Sequence, residues 1–329
     1  MPGAQERVLR RRIKSVQATK KITRAMELIA ASRIMRARAR LESAIPYSHA
    51  VQNVLRGVMY ESGNTATSEG SVLVCTIAAD RGLCGGYNVS VLRATTHLLE
   101  EITGLSKQYK VVAVGKKAAS FFKFSGQELT ASFAGFSDKP SYEDATEIAN
   151  PILELLDAGE IGEIDLVSTR FRSAGSQVVE VRKIFPVDTS VSHASGHDSG
   201  SAGSHSGQDP ASGSDSGSST ALALNEWAEH SALEKARSGY LELEPEPDEL
   251  LPIVIRRYVE SELFTALLEA ATSEHSARQR AMAAATENAD ELIKTLTRAV
   301  NRARQDAITT EIMEIVGGAE ALRQASRAD

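Results

Sequence analysis

The residues best placed to do chemistry in this sequence are Asp80-Arg81-Gly82-Leu83-Cys84-Gly85-Gly86-Tyr87-Asn88. They follow the β-rich run from Ser71 to Ala78 and precede a helix-like stretch from Val89 to Ile102. At such a junction an α/β fold often binds phosphate, because glycine lets backbone N–H groups close on an anion at a helix N-terminus. The spacing speaks against a nucleotide. The glycines run G-x-x-G-G rather than G-x-G-x-x-G, and Gly115-Lys116-Lys117 lacks both the upstream glycine and the Ser or Thr of a phosphate-binding loop. Gly82, Gly85 and Gly86 therefore read as a tight structural turn, with a nucleotide site as the alternative.

Other reactive side chains carry weaker signals. Cys75 and Cys84 stand nine positions apart without companions and fit no zinc pattern; they read as reduced thiols. Cys84 precedes a helix N-terminus, which can activate a thiol, but a buried small residue is the better reading. His193, His197, Asp198, His205 and Asp209 could hold Zn²⁺ or Ni²⁺ adventitiously. They lie in a stretch from His193 to Ala221 with ten serines and six glycines, whose apolar residues are all alanines, so it reads as a solvated, disordered linker. No Ser-His-Asp, Cys-His or paired-carboxylate arrangement stands out. The expectation is no catalytic residue, no metal and no cofactor.

The elements that position these residues are unusual at the two ends. From Ala4 to Ile45, and again from Ile253 to Val316, there is neither glycine nor proline, over 42 and 64 residues. As helices these would be about 60 and 95 Å long, lengths more typical of coiled coils. Leu9, Ile13 and Val16, then Ile22, Met26 and Ile29, recur at helical spacing, as do Ala285, Ala289, Leu292, Leu296, Ala299, Ala303 and Ala307. Alanine at many of these positions lets two helices approach closely. The two ends are therefore expected to pair as a long antiparallel coiled coil.

The middle alternates short strands with helices: strands near 110–115, 129–136 and 165–171, helices near 118–124 and 142–156, and a last extended segment at 177–187. This pattern predicts a Rossmann-like α/β domain with a mostly parallel sheet. Boundaries are placed at 1–60 for the first coiled-coil helix, 71–190 for the α/β domain and 193–221 for the linker. A short helix and acidic segment follow at 222–251, then the second long helix at 252–327.

Charge is uneven. Residues 1–45 hold 12 Lys or Arg against 3 acids, and residues 226–249 hold 8 acids against 2 bases, so charged partners are expected at particular surfaces. The basic end lacks the interleaved aromatics of a nucleic-acid grip, and no apolar run nears the ~18 residues that cross a bilayer.

Ile308-Thr309-Thr310-Glu311-Ile312-Met313-Glu314-Ile315-Val316-Gly317-Gly318-Ala319-Glu320-Ala321 resembles the signature of the gamma subunit of F-type ATP synthases. Arg257 to Ser261, Ser273-Glu274-His275, Ala299 to Gln305, Ile13 to Val16, Thr19 to Ser32 and Asp80 to Asn88 are similar to the same family, so the resemblance spans nearly the whole chain. Two places depart from it: the Ser/Gly/His-rich stretch is an insertion, and a common Tyr-Glu-Pro reads Leu243-Glu244-Pro245. Motifs that begin at the very N-terminus imply a bacterial protein without a transit peptide. Cys75 and Cys84 do not correspond to the regulatory dithiol of chloroplast relatives.

The resemblance implies a non-catalytic rotor shaft. Its paired helices would stand inside an alpha3-beta3 ring, with its α/β domain against the epsilon subunit and the membrane c-ring. Membrane association would run through the Fo sector only, at the cytoplasmic face of the plasma membrane. By position, Arg304, Gln305 and Thr309 match the polar catch with a beta subunit. Met26 matches a position near a beta-subunit loop, with Arg24 and Arg33 on neighbouring turns. Glu242, Leu243 and Glu244 would face epsilon or the c-ring at the rotor's foot.

Overall fold

The computed structural model describes residues 2–62, 70–187 and 244–328. Helix α1 spans Pro2–Ser62. It is followed by β1 (Ser71–Ile77), α2 (Tyr87–Gly104), β2 (Tyr109–Val114), α3 (Lys116–Phe124), β3 (Ala131–Phe133), α4 (Tyr142–Asp157), β4 (Ile161–Phe171) and β5 (Gln177–Phe185). Helix α5 spans Pro247–Ala328. The insertion at 193–221, and the short helix expected at 222–236, lie outside the described residues.

The two terminal helices run 61 and 82 residues, or about 90 and 120 Å. Each passes through a proline, Pro46 and Pro252. A proline removes one backbone donor from a helix. Around Pro46 the helix continues because Leu41, Ser48 and Leu55 are buried on either side of it, so tertiary packing outweighs the local penalty.

Three polar contacts tie α1 to α5 in one antiparallel register. Lys20 pairs with Asp290, the Thr23 and Thr286 hydroxyls lie 2.8 Å apart, and Ser48 Oγ donates to Glu262 Oε1 at 3.0 Å. The residue numbers of each pair add to 309 or 310, so the register holds over about 40 Å without a slip. The expected seam holds along α5 except at Leu292, and is displaced by a residue on α1 around Thr23 and Ala30. Thr23, Ala30, Ile34 and Leu41 are its buried positions on α1, and Met282, Ala289, Leu296 and Val300 on α5. Ile22, Ile29 and Leu292, expected inside, are exposed. Small side chains such as Thr23, Ala30 and Ala289 alternate on the seam with the larger Ile34, Leu41, Met282 and Leu296.

The sheet order is β3-β2-β1-β4-β5, parallel except for β5, which pairs antiparallel with β4. β3 is only three residues long, shorter than the 129–136 expected. β4 begins at Ile161, four residues before the expected start. That extension carries Glu163, a charge unusual for a central strand, which Lys107 and Lys183 hold on either side. One sheet face packs Val72, Val74, Val111 and Ala113 against α2 and α3. The other packs Leu73, Cys75, Val112 and Leu166 against α4, the foot end of α1, and α5. α5 is thus shared between sheet and coiled coil, and no residue from Tyr258 to Ser276 is exposed. A helix buried on every side must be apolar or internally satisfied all round. Leu263, Ala266, Leu267 and Ala270 supply the apolar part.

The sheet's C-terminal edge depends on one glycine. Gly115 has φ +98°, and a Cβ there would stand 2.1 Å from the Ala78 carbonyl oxygen. Gly115→Ala is expected to destabilise the chain by about 3 kcal/mol or more. Chemical denaturation measures this, and a change under about 1 kcal/mol would contradict the close approach.

Candidate functional site

The Asp80–Asn88 turn sits at the C-terminal end of the parallel strands, where α/β folds place their ligands. Here the chain's own side chains fill that place. The Asp80 carboxylate accepts backbone N–H bonds from Lys116 at 3.0 Å, Gly135 at 2.9 Å and Ser137 at 3.3 Å. The amide at the start of α3, which would otherwise meet an anionic ligand, is therefore satisfied from within. Asn88 Oδ1 accepts from the Ala79 N–H at 2.9 Å and braces the turn from the α2 side. Leu83 and Gly85 adopt positive φ, and Gly86 caps α2.

The turn also grips α5. Arg278 Nη2 donates to the Gly82 carbonyl at 3.3 Å and to Glu274 Oε1 at 2.5 Å. A Cβ on Gly85 would come within 3.7 Å of Ala281. Cys84 is buried beside Ala79, Tyr87 and Ala277. Burial, with Glu274 nearby, pushes its thiol up, away from reactivity. Cys75, in the sheet core, is pushed up to about 12 by burial. The turn thus braces the long helix through Arg278 and Ala281.

Glu274, His275 and Arg278 form a buried polar cluster. Burial raises the Glu274 carboxyl to about 7 against the pull of Arg278. His275 is 1% exposed, and its Nδ1 has no partner. Burial lowers its pKa to about 4, opposed by the Asp138 backbone beside it. Asp138 was not singled out in the sequence. Its carboxylate accepts from Arg33 Nη1 at 2.6 Å and lies 3.7 Å from Arg81. The nearby Ser141-x-x-Asp144 capping box, which opens α4, was a readable sign that this loop is well built.

The other anticipated residues fall in separate places. Met26 is half-buried. Arg24 is exposed and pairs with Glu27 at 2.7 Å. Beside it a shallow groove is lined by Lys20, Lys21, Arg24, Leu28 and Ile293. Arg33 turns toward the α/β domain through Asp138. Arg304, Gln305 and Thr309 are exposed near the far end of α5. The register puts them about 30 to 40 Å along the axis from Met26, so they form two belts rather than one site. Beyond about residue 308 α5 outruns α1, and Ile308, Ile312, Met313, Ile315 and Val316 are exposed on this overhang. Glu244 is exposed; Glu242 and Leu243 lie outside the described residues. Among the described residues there is no group of His, Cys, Asp and Glu arranged for a metal, and no helix long and apolar enough to cross a membrane.

A long antiparallel helix pair carrying a doubly covered, mostly parallel sheet defines a shaft-and-foot class of protein. The sequence pattern of the ATP synthase family matches residues 5–322. The ATP synthase gamma chain of Frankia casuarinae is 40% identical over 333 residues, covering 97% of this chain and 98% of its own. That of Streptomyces coelicolor is 35% identical over 334 residues, covering 98% of each. The fold resembles a chain of the Euglena gracilis mitochondrial ATP synthase in its OSCP/F1/c-ring structure, with a TM-score of 0.61 and 16% identity over 98% of this chain and 96% of that one. It also resembles a chain of the Tetrahymena thermophila mitochondrial central stalk and c-ring, with a TM-score of 0.55 and 23% identity over 80% of this chain and 99% of that one. The chain belongs to the ATP synthase gamma chain family.

His275 contributes acid sensitivity to the cluster, opposed by Glu274, which is raised to about 7 and so takes up a proton in the folded chain over much the same range. The His275 pKa in the folded chain lies below the free value, so between about 4 and 6.5 this group binds fewer protons in the folded state than in the unfolded one. Stability from this group is therefore lost as pH falls through that window, by the order of 3 kcal/mol. His275→Gln is expected to be less stable than the parent at pH 7 and to approach it as pH falls to 4. Parallel stability curves for the two proteins would contradict this.

Proposed function

We propose that this chain is the central rotor shaft of the F1 sector of a bacterial proton-translocating ATP synthase and is itself non-catalytic. It carries torque between the membrane c-ring and the beta subunits of an alpha3-beta3 ring. Its α/β domain faces epsilon and the c-ring, and the complex sits peripherally on the cytoplasmic face of the plasma membrane through Fo. The carrying observation is the single-register helix pair with its projecting apolar tip. A stiff, slender axle needs long helices and small seam residues; a bearing needs apolar surface turned outward.

The residue chemistry suits this role. Arg304, Gln305 and Thr309 are exposed where a polar catch with a beta subunit would form, and Arg24 lines, with Lys20, Lys21 and Asp290, the groove between α1 and α5. Basic residues there would attract and orient an acidic beta-subunit loop. A shaft that contacts the beta subunits unequally shifts each between open and closed states in proportion to its differential contact. Glu242, Leu243 and Glu244 remain the proposed foot contacts.

The reading as a nucleotide-binding enzyme is disfavoured by Asp80, which occupies the backbone amides a phosphate would use.

Affinity capture of the tagged chain from its own cell is expected to bring down two larger nucleotide-binding subunits, and the isolated chain is expected neither to bind nor to hydrolyse ATP. Hydrolysis by the isolated chain would overturn the proposal. In the assembled complex, Gln305→Ala with Thr309→Ala should lower ATP hydrolysis by about tenfold through lost interface hydrogen bonds. An unchanged rate would remove these residues from the catch.

A further inference from the structure

The foot domain meets the shaft partly through apolar surface, with Leu263, Ala266, Leu267 and Ala270 of α5 laid against the sheet and α4. Apolar contact is non-directional. It resists separation, but small, flat side chains resist sliding and turning only weakly. A domain that passes torque to an axle needs directional bonds as well.

Tyr142–Glu260, Arg182–Glu269, Arg278–Gly82 and Arg280–Gln177 supply such bonds to α5 along its length, whereas among the described residues the hydrogen bonds from the domain to α1 meet one loop, 138–140. Asp138 takes Arg33 of α1 on Oδ1 at 2.6 Å and has Arg81 of the glycine turn 3.7 Å from Oδ2. Its backbone lies beside buried His275 of α5. Two residues on, the Pro140 carbonyl accepts from Arg40 of α1 at 2.8 Å. On the other side, Ser137 is held by Asp80, whose N–H donates to Ser137 Oγ at 3.2 Å and whose carboxylate accepts the Ser137 N–H at 3.3 Å. Asp80 also takes the amides that follow β2 and β3. A continuous chain of directional bonds therefore leads from three strand ends, through Asp80 and the 135–140 loop, to α1.

We propose that Asp138 is the positioning residue that ties α1 to the α/β domain, so that torque applied to the domain reaches α1 directly as well as through α5, instead of being lost as slip between the two helices. The proposal rests on the shaft reading above. Arg33 and Asp138 side chains are 36% and 32% exposed. Ion pairs this accessible add little to static stability, so Asp138→Asn, which keeps the shape and the backbone contact with His275, should fold and assemble. The bond's effect should emerge only under mechanical load.

The test uses the complete membrane complex in inverted vesicles, comparing protons pumped per ATP hydrolysed as an opposing proton gradient is raised. With Asp138→Asn, hydrolysis by the released F1 sector should stay within about twofold of the parent. The pumping ratio should match the parent at low gradient and fall about threefold at high gradient. Asp138→Glu should restore most of the loss. Arg40→Gln, which breaks the neighbouring bond to Pro140 without touching Asp138, should show the same load-dependent loss. A ratio equal to the parent's at every gradient would overturn the proposal. So would a loss matched by released-F1 hydrolysis, or failure of both variants to assemble, since each marks a purely structural loop. Failure of the shaft reading looks different, because the parent chain itself would then neither assemble with larger subunits nor support pumping.

Discussion

Everything in this structure depends on the pairing of the chain's first and last helices in a single antiparallel register. The Thr23–Thr286 contact and the Ser48–Glu262 bond lie 25 residues apart on α1 and demand the same register, so the helices cannot slide past each other without breaking both. Small residues on the seam bring the backbones close at some cost in buried apolar area. That cost is offset lower down, where α5 is enclosed between α1, the sheet and α4. The stiff part and the stable part of the molecule are therefore the same helix.

The α/β domain keeps the outline of a ligand-binding fold and turns its usual binding place into a joint. Asp80 sits where an anion would sit, and Arg278 crosses from α5 to the glycine turn. Holding Glu274, Arg278 and His275 in one buried cluster is costly unless each is well partnered. Such a cluster sets one orientation of helix against sheet, which non-directional packing alone would leave less defined. The exposed apolar residues at the tip of α5 reflect the opposite requirement, a surface left free for other subunits.

Much of this was legible in the residues. The absence of glycine and proline marked both long helices, and the alternating pattern marked the sheet. The α5 side of the seam was legible at Ala289 and Leu296, whereas on α1 it was misread by one residue at Thr23 and Ala30, because Ile22 and Ile29 are the more hydrophobic. Hydrophobicity ranks burial well only when no partner outside the chain competes for the apolar side chains. The short span of β3 and the early start of β4 were hidden by local composition, since Glu163 reads as a loop residue until Lys107 and Lys183 are brought beside it. Asp138 carried no local signal, because its partners Arg33 and His275 lie more than a hundred residues away in either direction.

The most direct measurement attaches a visible bead to the α/β domain of the complex, with the alpha and beta subunits fixed to a surface, and watches it as ATP is supplied. A shaft of one rigid register predicts continued turning in one direction that stops when ATP is withdrawn. A bead that stays still while the same complexes hydrolyse ATP would contradict it.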